Sequence, residues 1–264
     1  MNDRILLFIP MYRCERQIAR VIGRITPDIA HRIAEVVVVD NRSTDGSVAA
    51  ARAALGQLAT KGRILVNAAN YNLGGSHKVA FDFALVGGFS HVVVLHGDDQ
   101  ADIADLVPVL DAGRHRCVDC LLGSRFARGA RLIGYSRFRI FGNRVFNLLF
   151  SLATGRWITD LGSGLNVFSV PMLHDRFYRS LNDDLTFNNQ LLLSLVHRRV
   201  AYAFFPISWR EEDQMSNVRL FRQAWKTLGI ACGYGLRRGA YLAPYRGLQK
   251  PDDYRAETVF EHCP

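Results

Sequence analysis

The stretch that decides the fold is residues 36–47, VVVVDNRSTDGS. Four valines in a row, followed by an acid, a glycine and small polar residues, describe a strand buried on both faces that ends in a polar loop. The same grammar recurs along the first two-thirds of the chain. Ile5–Ile9, Ile64–Val66, Val92–Leu95 and Leu121–Leu122 read as strands. Glu15–Ile25, Ser47–Leu58, Ser76–Leu85 and Ile103–Leu110 read as helices between them. This alternation predicts an α/β fold with a mostly parallel central sheet and helices on both faces. In such sheets ligands bind beyond the carboxyl ends of the strands. The residues at those ends are Pro10–Tyr12, Asp40–Gly46, Asn70–Ser76 and His96–Gln100. Most of these junctions are polar and contain glycine, which suits one shared crevice.

The second half is less regular. Phe141–Thr154 reads as an apolar helix stopped by Gly155, and Asn166–Val170 and Tyr202–Ile207 as strands. Ser216–Gly229 looks helical, with Val218, Phe221, Trp225, Leu228 and Cys232 along one face and Arg219, Arg222 and Lys226 flanking it. The expected division is a domain over residues 1–210 and a C-terminal basic amphipathic helix and tail over 211–264. That helix reads either as an anchor on an anionic membrane surface or as a stripe packed on the domain.

The 264 residues are 49% hydrophobic and 22% charged, ordinary values that exclude wholesale disorder. The unusual figure is a net charge of +9, carried almost entirely by arginine. Seven arginines and no acid lie between Cys120 and Thr159, and six cations and no acid between Ser216 and Arg246. Single-sign blocks of this kind favour anionic partners. Nucleic acid is not expected, because no helix-turn-helix, RNP or zinc-finger signature accompanies them. No window is apolar enough to cross a membrane, and no secretory leader is apparent. The five cysteines include a lone CxxC, Cys117 and Cys120, and suggest no disulfide framework. The expected location is the cytoplasm, peripheral on the cytoplasmic face of a membrane. Self-association into a homo-oligomer is left open.

Two acids stand out. Asp98 directly follows a buried strand, and with His96 and Asp99 beside it could hold a divalent cation, Mg2+ or Mn2+. The same residues also fit a turn that closes the strand. Asp40, after the second strand, is placed to accept hydrogen bonds from a base or ribose, and equally to build an Asx turn before Ser47.

The motifs around these acids resemble glycosyltransferase family 2. Residues 9–18, IPMYRCERQI, resemble its P-x-Y-N-x-E entry to the nucleotide site, with Arg13 in place of Asn. Residues 36–47 are similar to its D-D-x-S-x-D-G-T/S loop, with Asn41 in place of the second Asp. Residues 70–85, NYNLGGSHKVAFDFAL, resemble the Asn-x-Gly segment that follows. VVLHGDDQADI, residues 93–103, resembles D-A-D-G-Q-H-x-P, with His96 replacing the first acid of the DxD and Asp98 and Gln100 kept. Within the family the second half is most similar to the polyprenyl-phosphate branch, which includes dolichol-phosphate mannose synthases. The carriers are GSRF at 123–126, TGRWITDLGSGLNVF at 154–168 and FFPISWREEDQMSN at 204–217.

The resemblance covers residues 4–215 and implies a GT-A, Rossmann-like fold with an amphipathic helical tail. It implies an inverting enzyme that moves a sugar from a UDP- or GDP-linked donor to a polyprenyl phosphate. The alternative acceptor is a hydroxyl of a saccharide or small molecule. That reaction needs a base, and the DDLTFNNQ segment offers Asp183 and Asp184, with Asn189 and Gln190 where an acid is common. The implied nucleotide-sugar residues are Pro10, Tyr12, Glu15, Asp40, Asn41, Ser43, Asp45, Asn72, Gly74, Gly97, Asp98 and Asp99. The implied metal ligands are Asp98, His96 and Gln100. The implied catalytic residues are Asp98, Arg125, Arg139 and Asp160. The acceptor would meet Arg125, Arg139, Ser163, Gly164, Arg210 and Ser216.

Overall fold

Val36–Val39 lie mid-sheet with no exposed surface, as a run without polar residues demands. The computed structural model describes residues 3–211, 220–237 and 253–264. Its strands are β1 (Ile5–Met11), β2 (Glu35–Asp40), β3 (Gly62–Asn67), β4 (His91–Leu95), β5 (Cys120–Ser124), β6 (Arg131–Ile133), β7 (Leu165–Ser169), β8 (Tyr202–Pro206), β9 (Ser208–Arg210) and β10 (Ala256–His262). Its helices are α1 (Glu15–Gly23), α2 (Pro27–Ala30), α3 (Ser47–Leu55), α4 (Asn72–Val86), α5 (Val107–Asp111), α6 (Arg137–Thr154), α7 (Phe187–His197) and α8 (Leu220–Leu236).

Eight strands form one sheet in the order β10-β3-β2-β1-β4-β7-β5-β8. Neighbours are parallel except β7, antiparallel between β4 and β5, and β10, antiparallel on β3. Side chains alternate between two cores. Leu6, Phe8, Val37, Val39, Val92 and Val94 face α4, α7 and α8. Ile5, Leu7, Ile9, Val36, Val38 and Val93 face α1, α3 and α5. Burying each such side chain contributes about 1.5–3 kcal/mol, which is why both faces must be covered. Strand order reverses between β1 and β4, and the loops after these two strands flank that switch point.

The sequence did not signal α7, β6, β9 or β10. α7 is apolar nearly all round because it is buried, so it shows no amphipathic period. β6 and β9 form a short parallel pair beside the crevice. β10 corrects the expectation of a tail over 211–264, since Ala256–His262 close the β3 edge of the sheet. The expected apolar stripe of the C-terminal helix is corrected too. α8 packs against α6 and α7 through Thr227, Ile230, Ala231 and Tyr234, while Trp225 and Cys232 face solvent. Val218 and Arg219 lie outside the described residues, as do the Phe221 and Arg222 side chains. The CxxC sulfurs do not meet: Cys117 is exposed, and Cys120 is buried against Met172, where burial pushes its thiol pKa well up.

One buried group sets a pH dependence. His77, on α4, packs among Phe8, Phe81 and Phe187, and burial, reinforced by His96, lowers its pKa to about 3. Unfolded, a histidine titrates near 6.5, so below that pH the unfolded chain takes up a proton that the folded one refuses. This contribution to stability is complete above pH ~6.5 and falls away as the pH drops toward 3. His77→Phe should therefore remove about 1.4 kcal/mol per pH unit from the slope of stability between pH ~6 and ~4, measured by urea unfolding. An unchanged slope would show that His77 titrates normally.

Candidate active site

The loops after β1 and β2 are stitched together by their own polar residues. Asp40, 1% exposed, accepts the Ser43 amide on both oxygens at 3.3 and 3.0 Å, which is the Asx-type turn expected of that sequence. Ser43 Oγ accepts the Arg13 amide at 3.0 Å, and Ser47 Oγ the Cys14 amide at 2.9 Å. Asp45 accepts both the amide and the hydroxyl of Ser47. Burial opposes its charge, but the Ser47 bonds outweigh burial and hold the carboxyl below its usual range. Glu15 accepts the Gly46 amide at 3.1 Å, and a Cβ on Gly46 would sit 2.6 Å from Glu15 Oε1 and push that side chain aside.

Asn41, where the family has an acid, has a structural task. Its Oδ1 accepts from Asn67 Nδ2 and the Tyr71 amide, while its Nδ2 donates to Asn70 Oδ1 at 2.7 Å. An amide performs both roles, and a carboxylate only the first. Gly74 is likewise met by the chain itself: its amide donates to the Asp183 carbonyl, and a Cβ would clash with Asn182 O at 2.5 Å. Pro10 is buried within β1, and its carbonyl accepts the Gly97 amide at 3.2 Å, tying the two loops of the switch point. Tyr12, Glu15 and Asn72 remain exposed around this loop cluster.

Asp98 and His96 interact across the end of β4. Burial raises the Asp98 pKa against the opposing influence of His96, and lowers that of His96 against Asp98. Among the described residues no Lys or Arg pairs with Asp98; its one hydrogen bond comes from the Gln100 amide at 3.3 Å. His96 Nε2 is buried without a hydrogen-bond partner. An unpaired carboxylate beside an orphaned imidazole nitrogen fits a divalent cation. Gln100 acts through its backbone, as its carbonyl also accepts the Arg210 amide. Asp99 is a correction: at φ 61° it turns away to pair with Arg20 and Arg24 at 2.8 and 2.6 Å, locking the loop onto α1.

The residues expected at the acceptor are corrected more strongly. Arg125 and Asp160 hold each other. Nε and a terminal nitrogen of Arg125 reach Asp160 at 2.9 and 2.7 Å, and the Arg125 amide adds a third bond at 2.9 Å. Burial disfavours this guanidinium, but Asp160 outweighs burial and keeps its pKa above the usual value. A buried guanidinium needs such a partner, so the pair clamps the 159–164 loop to β5. Ser163 is 1% exposed and donates to the Leu165 carbonyl. Gly164 packs its backbone on His96, with its carbonyl accepting the His96 amide at 2.8 Å. Arg210 pairs with Asp102 at 3.2 Å. Ser216 lies outside the described residues.

Arg139 does stand beside this cluster. It is half-buried in the first turn of α6 and pairs with Glu211. Tyr135 lies between the clamps: its hydroxyl accepts from Arg125 at 3.1 Å and from Asn143 at 2.8 Å. Tyr135, Asn143 and Glu211 were missed by sequence reasoning, and the acid-free arginine block was the signal that marked their surroundings. Both acids of the DDLTFNNQ segment are paired, Asp183 with buried Lys78 at 2.5 Å and Asp184 with Lys226 at 2.6 Å. Asn189 and Gln190 are buried, bonding Thr227 and the Asn182 amide.

Because Asp98 carries the penalty of an unpaired buried acid, Asp98→Asn should leave Tm unchanged or raise it by about 2–4 °C. The same variant should weaken Mn2+ binding by at least about a hundredfold, read by calorimetry. A large fall in Tm would make Asp98 a structural residue.

With this geometry in hand, comparison with known proteins is informative. The family model for glycosyl transferase family 2 matches residues 7–177. Polyprenol monophosphomannose synthase of Mycolicibacterium smegmatis is 23% identical over 178 residues, 65% of this chain and 64% of that protein. The chain therefore matches just under two thirds of that relative's length. Crystal structures of glucosyl-3-phosphoglycerate synthase from Mycobacterium tuberculosis share the fold. The complex with UDP gives a TM-score of 0.63, and that with Mn2+, UDP and glucosyl-3-phosphoglycerate gives 0.62. Both are 18% identical and cover 99% of this chain and 90% of theirs. The family match runs over well more than half of the chain, from β1 through β7, and the protein belongs to glycosyl transferase family 2.

Proposed function

We propose that the protein transfers a sugar, with inversion, from a nucleoside-diphosphate sugar to a polyprenyl phosphate. The observation that carries this reading is the state of Asp183 and Asp184, each held in an ion pair. A hydroxyl acceptor needs a base poised to take its proton, whereas a phosphate monoester arrives already ionised. Its oxygen attacks C1 of the sugar as the bond from C1 to the diphosphate breaks. The relative named polyprenol monophosphomannose synthase supports the same acceptor class.

Tyr12, Asp40 and the 41–45 turn would receive the nucleoside. Asp98 with His96 would hold a divalent cation, which when bound neutralises charge on the leaving diphosphate. The Mn2+ in the similar synthase structures supports this assignment. Arg139 would meet the acceptor phosphate, for which arginine provides paired, charge-assisted donors. Arg125 and Asp160 would act by positioning the surrounding loop.

A lipid-linked acceptor asks for a membrane-facing surface. No helix among the described residues is long and apolar enough to cross a membrane. α6 supports peripheral contact instead: Phe138, Phe141, Val145, Leu148 and Leu152 recur at helical spacing and are exposed, with Trp157 just beyond. Arg137, Arg144 and Arg156 flank them, and each cation near an anionic surface contributes about 1 kcal/mol.

A second reading keeps the donor and changes the acceptor to a hydroxyl. Glu211 would serve it as base only on leaving Arg139, so this reading requires that ion pair to open.

Labelled sugar from UDP or GDP donors should enter an organic-extractable product when polyprenyl phosphate is supplied, and Asp98→Asn should abolish it. Arg139→Ala should raise the acceptor KM about tenfold and the donor KM less than twofold, as loss of a charged phosphate contact predicts. No product with any donor would overturn the proposal. Collapse of kcat in Glu211→Gln, with transfer to a soluble hydroxyl acceptor, would favour the second reading. Phe141→Ser with Leu148→Ser should release the protein from anionic vesicles; unchanged vesicle binding would remove α6 as the contact.

A further inference from the structure

A second cluster of metal-ligating side chains lies at the other pole of the sheet. Asp3 precedes β1, and His91 opens β4 directly opposite Ile5 in the register. His115 sits in the short turn Arg114–Arg116, which Gly113 enters with φ 63°. One ring nitrogen from each histidine and one carboxylate oxygen of Asp3 lie within 4.8 Å of one another. Seven residues separate His91 from Asp98, roughly 20 Å along an extended strand, so this cluster is no part of the crevice.

Three features distinguish the cluster from a surface ion pair. The side chains are withdrawn from solvent, His115 at 2%, His91 at 10% and Asp3 at 18% exposure. The two histidines border an open pocket of about 500 Å3 that also takes in Cys117, Asp119 and His174. His115 is also incompletely satisfied. Its Nε2 meets Asp3 Oδ2 at 2.8 Å, while its Nδ1 is buried without a partner. A carboxylate only accepts, so Nε2 carries the proton, and a neutral ring then leaves Nδ1 as a bare, buried lone pair. A transition ion would take the place of the Nε2 proton beside Asp3, the ring shifting its proton to Nδ1 as the ion binds.

We propose that Asp3, His91 and His115 bind a divalent transition ion, Zn2+ foremost, fastening the start of β1 to β4 and to the turn before β5. Two imidazoles and one carboxylate suit Zn2+, Co2+ or Ni2+, and the absence of further oxygen ligands disfavours Mg2+ and Ca2+. The widest separation must close by up to about 1.5 Å, and the 2.8 Å pair part slightly, to reach the ~3.3 Å spacing of a tetrahedral zinc shell, with water in the remaining position. Rotation of the Asp3 carboxyl supplies part of that closure. Arg116 opposes the ion: its guanidinium lies on Asp3 Oδ2 at 2.7 Å and is 62% exposed, free to swing out. Its removal is therefore expected to strengthen metal binding, an effect opposite to that on a simple salt-bridge network.

The test uses the full-length, tag-free chain stripped with chelator and titrated with Zn2+ against a competing chromophoric chelator. One zinc equivalent should bind and should be retained by Asp98→Asn, which separates it from the crevice. His91→Gln and Asp3→Asn should each weaken it at least about tenfold, and Arg116→Gln should tighten it. Co2+ loading should give a visible absorption band of low-coordinate type that His91→Gln abolishes. Should His91→Gln fail to fold, Asp3→Asn and Arg116→Gln still decide. No retained zinc, binding indifferent to Asp3→Asn, or loss of the only equivalent in Asp98→Asn would overturn the proposal.

Discussion

A charge withdrawn from water costs several kcal/mol unless an opposite charge and hydrogen bonds meet it, and this constraint organises the molecule. Lys78, on α4, has no exposed surface and bonds the Leu181 carbonyl, Asp183 and the Tyr254 hydroxyl. One ammonium thus joins the central helix, the segment leading to α7, and the approach to β10. Arg125 with Asp160 does the same for the loops after β5 and before β7, and Asp99 with Arg20 and Arg24 for the loop after β4. Asp40 and Asp98 are the exceptions. Neither pairs with a cation among the described residues, and both stand at strand ends beside the crevice, where a catalytic cation belongs.

The crevice follows from covering both sheet faces. Once α1, α3 and α5 lie on one side and α4, α7 and α8 on the other, the strand ends are where polar groups of the sheet can reach ligand. The loops there are rigid before any substrate arrives. Asn41 bridges three backbone and amide partners, Glu15 reaches the Gly46 amide, and Gly97 meets the Pro10 carbonyl. Such preorganisation is what transfer chemistry needs, because groups already in place need not reorganise as charge develops.

The strands and their junctions were legible because they obey local rules. Val36–Val39 can be satisfied only by two covered faces, and Asp40 and Asp98 stand where a parallel sheet ends. The arginines were not legible in the same way. A guanidinium binds carboxylate and phosphate with the same fork, so Arg125 read as an acceptor contact until Asp160 was found on it. Ser163 and Gly74 pose the same question: small residues permit close approach, and sequence does not say whether ligand or backbone approaches. The antiparallel place of β7 and the whole of β10 depend on pairing across long separations, and α7, buried all round, shows no helical period.

β10 changes how the chain's end should be regarded. Without it β3 would present a row of unpaired amides and carbonyls, the template on which foreign strands add and aggregates grow. The opposite margin, β8, ends at Pro206, which lacks an amide to offer. One border is thus guarded by sequence chemistry and the other by a strand drawn from the far end of the chain. Removing β10 would therefore expose an adhesive edge rather than trim an ornament.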